Sequence, residues 1–132
     1  MTKGDWLDLT VLERKKYNYL SEVMDLSQQM GEALDRNDQV SVRMLLSLRQ
    51  DPILQLEELK RSIQMKQESL PAEDRKRLAE LLAEAAPENE AEERYARQAG
   101  AARRLLERVI EVDRRLNRRL AGDASFYGKD GR

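Results

Sequence analysis

The sequence predicts an all-α fold: an elongated antiparallel helical hairpin, then a short helix and a long C-terminal helix, together a three- to four-helix bundle or coiled coil. Three observations predict it. Apolar residues recur at alternating spacings of three and four over most of the chain, the period of a helix with one buried stripe. Charged residues make up 37% of the chain and aromatics only 5%, which suits long solvated helices with thin seams better than a thick spherical core. Where the period lapses, turn formers and helix-start residues stand in its place.

In the first helix, Leu9, Leu12, Lys16, Tyr19, Val23, Leu26, Met30 and Ala33 form a heptad seam with one polar interruption at Lys16, and Leu20 and Leu34 widen the stripe. The segment "DRND" at 35–38 supplies a turn, and Asn37 or Asp38 can cap the next helix. From there Val42, Leu45, Arg49, Pro52, Leu56, Leu59 and Ile63 repeat the pattern. Proline disfavours a helix interior, so "LLSLRQDPILQL" at 45–56 reads as either a turn or a bend. Phase decides between them. Val42 to Ile53 and Leu45 to Leu56 are each eleven residues apart, close to three helical turns, so the apolar face stays aligned across Pro52. A turn has no reason to preserve that alignment. We therefore expect one helix over about 39–67, kinked near Leu48.

Pro71 suits a first helical position, and Glu73 and Asp74 favour the positive end of a third helix whose apolar side is Leu78, Leu81, Leu82 and Ala85. A fresh start near Pro87 and Asn89 opens the last helix, expected over about 89–121, with Tyr95, Ala99, Ala102, Leu106, Val109, Asp113, Leu116 and Leu120 as its stripe. Glu90 with Arg94, Glu93 with Arg97, and Glu111 with Arg115 are favourably oriented pairs four residues apart. Gly122 is read as the stop, which makes 1–121 a single domain and 122–132 a flexible tail.

The bulk numbers exclude much chemistry. With 24 basic and 25 acidic residues the net charge is −1, no support for a globally basic nucleic-acid binder. Cysteine and histidine are absent, which removes thiolate nucleophiles, disulfides, Cys/His zinc sites and the commonest general base. No phosphate loop, dinucleotide fingerprint or catalytic motif occurs, so we expect no enzyme and no cofactor. "MTKGDWLDLT" has no apolar signal core and no apolar run approaches ~18 residues, which predicts a cytoplasmic protein. The acids at 88–93 read as a solvated face rather than a metal site, since their neighbours are helical and salt-bridging. The arginines at 94–119 follow an acidic stretch and lack interleaved aromatics, so they read as a solvated or partner-facing helix rather than a nucleic-acid or membrane surface.

Two features point outward. Lys16, Arg49 and Asp113 sit where their helices otherwise place apolar side chains; the bases either run their stems out to water or meet Asp113 across helices. The last helix is also wider in its apolar face than one seam needs, with Leu105 and Val112 on one side of the stripe and Ile110 on the other. Either two helices pack against it, or part of it awaits a partner's amphipathic helix.

The stretch "LERKKYNYLSEVMDLSQQMGEALDRNDQVSVRMLLSLRQDPILQLEEL" resembles the FlgN/FliT-type flagellar type III export chaperones over roughly residues 12–60. The shared features are the turn marked by Ala33-Leu34 and Asp38, then Arg49-Gln50 with Ile53 and Leu56; "EVDRRLNRRL" is similar to the family's closing helix. The Pro52 kink and the short helix at 71–86 depart from the pattern. The resemblance implies a small cytoplasmic non-enzyme. Such a protein binds the helical terminal region of hook-associated or filament-cap proteins, prevents premature assembly and delivers them to the export gate. It further implies a client-binding face of Leu105, Leu106, Val109, Ile110, Val112 and Leu116, and a gate contact at Tyr127 with Phe126. The alternative is a coiled-coil adaptor or scaffold that self-associates, for instance as a homodimer.

Overall fold

The computed structural model describes residues 1–130, with side chains through Gly122. Four helices account for nearly all of it: α1 (Lys3–Asp35), α2 (Gln39–Glu68), α3 (Ala72–Leu82) and α4 (Glu90–Asp130), with no strand among the described residues. The all-α bundle expected from periodicity is the fold.

α1 opens on a capping box. The Thr2 hydroxyl accepts from the Asp5 N–H at 3.0 Å, and the Asp5 carboxylate accepts from the Thr2 N–H at 3.2 Å. Lys66, near the end of α2, donates to Asp5 at 2.8 Å and lies 3.3 Å from Asp8, which fastens the open end of the hairpin. That ammonium, with the Thr2 hydrogen bonds, draws the Asp5 carboxyl down to about 2.

At the other end the chain reverses within three residues. Asn37 takes φ 57°, the left-handed conformation that Asn tolerates better than most residues. Its N–H donates to the Leu34 carbonyl at 3.1 Å and that of Asp38 to Ala33 at 2.8 Å, a Schellman closure of α1. Asp38 then caps α2, accepting from the Ser41 N–H at 3.1 Å and the Ser41 hydroxyl at 2.6 Å.

α2 runs through Pro52 without interruption. The proline ring is fully buried, in line with Val42, Leu45 and Leu59. Its missing N–H leaves the Leu48 carbonyl without the usual helical donor, but the ring fills the seam as a leucine would.

Three layers of side chains set the topology. Trp6 and Leu9 pack with Leu70, Leu78, Leu81, Tyr95 and Ala99. Leu20 and Val23 meet Leu105 and Val109. Met30 and Ala33 meet Val42, Leu45 and Leu116. Residue numbers rise together along α1 and α4, so these two helices run parallel and α2 runs against both. α1 lies along α2 and along α4 as far as Leu120, and α3 packs on α4 at the end where α1 starts. Within that end layer the Trp6 and Tyr95 rings sit 5.5 Å apart at 52°, a tilted contact that aromatic quadrupoles favour.

Three expectations need correction. In α1 the expected seam paired the row Leu9, Lys16, Val23, Met30 with Leu12, Tyr19 and Leu26. Leu9, Val23, Met30 and Ala33 of that seam are buried, but the second buried row is Trp6, Glu13, Leu20 and Ser27, while Leu12, Tyr19 and Leu26 are half-buried. The reason is geometric: a helix shared by two partners buries a wide arc, and its centre falls between the partners rather than on the greasiest row. The second concerns α4, which does not stop at Gly122 but continues to Asp130. A helical glycine costs only about 1 kcal/mol against alanine, and no glycine among the described residues takes the positive φ of a terminating cap. The tail's side chains, from Asp123 onward, lie outside the described residues. The third is small: α3 begins at Ala72, with Pro71 as the residue that caps it.

At the end of α3 the left-handed position falls to Glu84, φ 70°, whose N–H donates to Leu81 at 3.1 Å. A glutamate there bears a steric cost of ~1 kcal/mol or more that glycine escapes. Its side chain is exposed and its ion pair with Arg103 is of the surface kind. We expect Glu84→Gly to stabilise the protein by about 0.5–1 kcal/mol, read as a melting temperature higher by about 4 °C in thermal denaturation.

Candidate functional site: the closing helix and its polar anchors

α4 carries most of the residues that the sequence singles out, and polar anchors hold it to the rest of the bundle. The central one is Arg49 on α2. Its Nη1 donates to the Ser27 hydroxyl of α1 at 3.0 Å, and its Nη2 lies 3.0 Å from Oδ1 of Asp113 on α4. Ser27 in turn donates to the Val23 carbonyl at 2.7 Å. One guanidinium therefore joins all three long helices. With 11% exposure of its side chain, Arg49 does not run out to water; it meets Asp113 across the helices, the second of the two arrangements that the sequence allowed. Its Nε is buried without a partner. Asp113 remains 40% exposed, so the pair sits at the edge of the core with its acid toward solvent.

The expected partner face divides sharply. Leu105, Val109 and Leu116 are buried within the bundle, packed against α1 and α2. They hold α4 in place and are not open to a client. Leu106 and Val112 are half-buried, and Ile110 is 43% exposed. The wide apolar face is thus largely explained by two helices packing against it. Phe126 and Tyr127 lie outside the described side chains. The more exposed apolar row is one the sequence reading passed over: Val40, Met44 and Leu48, four residues apart on the side of α2 away from its buried stripe.

Glu92 corrects another expectation. The acids at 88–93 read as a solvated face, yet Glu92 is buried. Arg77 of α3 grips it through Nε, at 3.1 and 3.2 Å from its two oxygens, and through Nη2. The same Nη2 donates to the Ala86 carbonyl at 3.0 Å, and the Glu88 N–H donates to Glu92 at 3.0 Å. Asn89 caps α4 by accepting from the Glu92 N–H at 2.9 Å. Arg77 thereby locks the α3–α4 connection, and its hydrogen bonds hold the Glu92 carboxyl below its ordinary range. The three pairs expected along α4 form, at 2.6 Å for Glu90–Arg94 and 2.8 Å for both Glu93–Arg97 and Glu111–Arg115.

Glu13 behaves in the opposite way. It is buried on α1 with no ion pair among the described residues, and burial pushes its carboxyl above the usual range while Lys16 opposes the shift. The Tyr95 hydroxyl is also buried without a partner, and its ionisation is pushed up by burial and by the charge of Glu13. Sequence offered one signal for both Glu13 and Ser27, namely the seven-residue row from Trp6 to Leu20. Their polarity argued against it. Among the described residues no group of acids is arranged to hold a metal ion, and no helix is long and apolar enough to cross a membrane.

Two measurements follow from these anchors. In a double-mutant cycle by chemical denaturation, Arg49→Met and Asp113→Ala should couple by ~1 kcal/mol, less than a fully buried pair because Asp113 is partly solvated. Independent effects would show that Asp113 adds nothing to the junction. The second is a pH dependence of opposite sign at two glutamates. The lowered Glu92 contributes stability above its unfolded value of 4.5 that is lost as pH falls through its folded value. The raised Glu13 contributes fully below 4.5 and loses that contribution as pH rises through its folded value. Thermal melts should therefore find Glu92→Gln destabilised and Glu13→Gln stabilised at pH 7, with both differences shrinking near about pH 3.5.

No family model, no curated protein and no solved structure matches this chain.

Proposed function

We propose that the protein is a cytoplasmic export chaperone of the flagellar type III pathway. In this reading it binds the amphipathic terminal helix of a hook-associated or filament-cap protein, keeps it from assembling early and hands it to the export gate. The observation that carries the reading is the length of α4. Leu120 is its last residue in a core layer, Ala121 and Gly122 are exposed, and the helix continues to Asp130 through the segment that contains Phe126 and Tyr127. A helix that outlasts its own bundle offers a second helix a place to pair. The resemblance over roughly 12–60 supports the same role. Burial narrows the client face: Leu105, Val109 and Leu116 serve the bundle, so the client meets Leu106 and Ile110 at one edge, Val112 at the other, and the stretch beyond Leu120.

A self-associating adaptor is the second reading. The outward row of Val40, Met44 and Leu48, at 71%, 56% and 52% exposure, favours it.

Light-scattering mass with and without an amphipathic C-terminal peptide of a filament-cap protein separates the two. The chaperone reading expects a one-to-one complex that Ile110→Asp weakens by roughly tenfold, about the worth of one apolar side chain, with the melting temperature unchanged. A mass that grows with protein concentration, without peptide binding, supports the adaptor.

A further inference from the structure

Between α1, the C-terminal half of α2, the end of α3 and α4 lies a cleft of about 420 Å³. Ile63, Leu81, Ala96 and Ala99 are among its walls, and Glu13 faces into it. The cleft exists because α2 and α4 each pack chiefly on α1, and because small residues stand where α4 would otherwise fill the gap. Lys16, Glu84, Arg103 and Arg104 also line it. Arg103 is already engaged, donating to the Leu82 carbonyl at 3.1 Å and to Glu84 at 3.2 Å.

Glu13 is 7% exposed and has neither an ion pair nor a hydrogen bond among the described residues. Buried carboxylates are normally paired, because leaving water uncompensated is costly. The Tyr95 hydroxyl feels the charge of Glu13 but is itself fully buried and does not line the cleft, so Glu13 is the acceptor that the cleft exposes. The two carboxylate oxygens of Glu13 are therefore unused acceptors on the wall of the cleft, which an ammonium, a donor-only group, can fill.

We propose that this cleft binds a primary ammonium group carried on an aliphatic stem, the ammonium at Glu13 and the stem along Ile63, Leu81 and Ala99. The inference stands independently of the export reading. The same group could be presented by a free alkylamine or by a lysine side chain of a partner.

The test is an NMR titration of the full chain with n-butylammonium, with a capped helical peptide bearing one central lysine, and with that peptide's norleucine counterpart. Saturable shifts at the Glu13 carboxyl carbon and the Ala99 methyl are expected. On binding, the Glu13 titration should move back down toward the ordinary carboxylate range. Glu13→Gln should weaken binding at least tenfold, and so should Ala96→Leu, which fills the cleft while leaving the carboxyl in place. Binding of the free amine identifies a small-molecule site; binding of the lysine peptide but not its norleucine counterpart identifies a partner's side chain. The proposal is overturned if neither probe saturates, or if Glu13→Gln binds as well as the parent protein.

Discussion

Arg49 brings a full positive charge into the seam where α1, α2 and α4 meet, and the arrangement of the three long helices has to satisfy it. Ser27 and Asp113 do so from two different helices, each at 3.0 Å. Leucine packing alone tolerates sliding by a turn, because one apolar layer is much like the next. A guanidinium with two fixed acceptors does not: displacing α4 by a turn would strand a charge that is 11% exposed. The junction thus sets the register of α4 against the hairpin.

The two ends of α4's packed length are held in the same way with different chemistry. Where it starts, Arg77 grips Glu92 and ties in the loop from α3. Near the α1–α2 turn, Arg119 lies 2.9 Å from Asp35 at the end of α1. Between these anchors the apolar layers supply most of the binding free energy and the polar contacts supply alignment. α1 is the helix everything else leans on, which explains why its buried arc is wide enough to take in Glu13 and Ser27.

This division bears on function. A helix whose leucines are consumed by its own bundle has only its edges and its overhang left for another protein. On α4 these are Leu106, Ile110, Val112 and the residues past Leu120. α2 keeps a separate outward row at Val40, Met44 and Leu48. The two surfaces are on different helices.

Much of this was legible in the sequence, because the relevant interactions are local. The helical period, the Asp38 cap, the unbroken phase across Pro52 and the glutamate–arginine pairs of α4 all act within one helix or one turn. The meeting of Arg49 with Asp113 could be anticipated because two polar residues interrupting apolar stripes need partners. Leu9, Val23, Met30 and Ala33 belong to the seam legible in α1 and are buried, but the helix's full buried arc could not be anticipated. That depends on having neighbours on two sides, and it placed Glu13 and Ser27 inside while Leu12, Tyr19 and Leu26 moved to the edges. The burial of Glu92 likewise required α3 to fold back and bring Arg77 to it. Local pattern determines which segments become helices and which broad side of each is apolar. Which row on that side reaches the centre is decided only when all the helices pack at once.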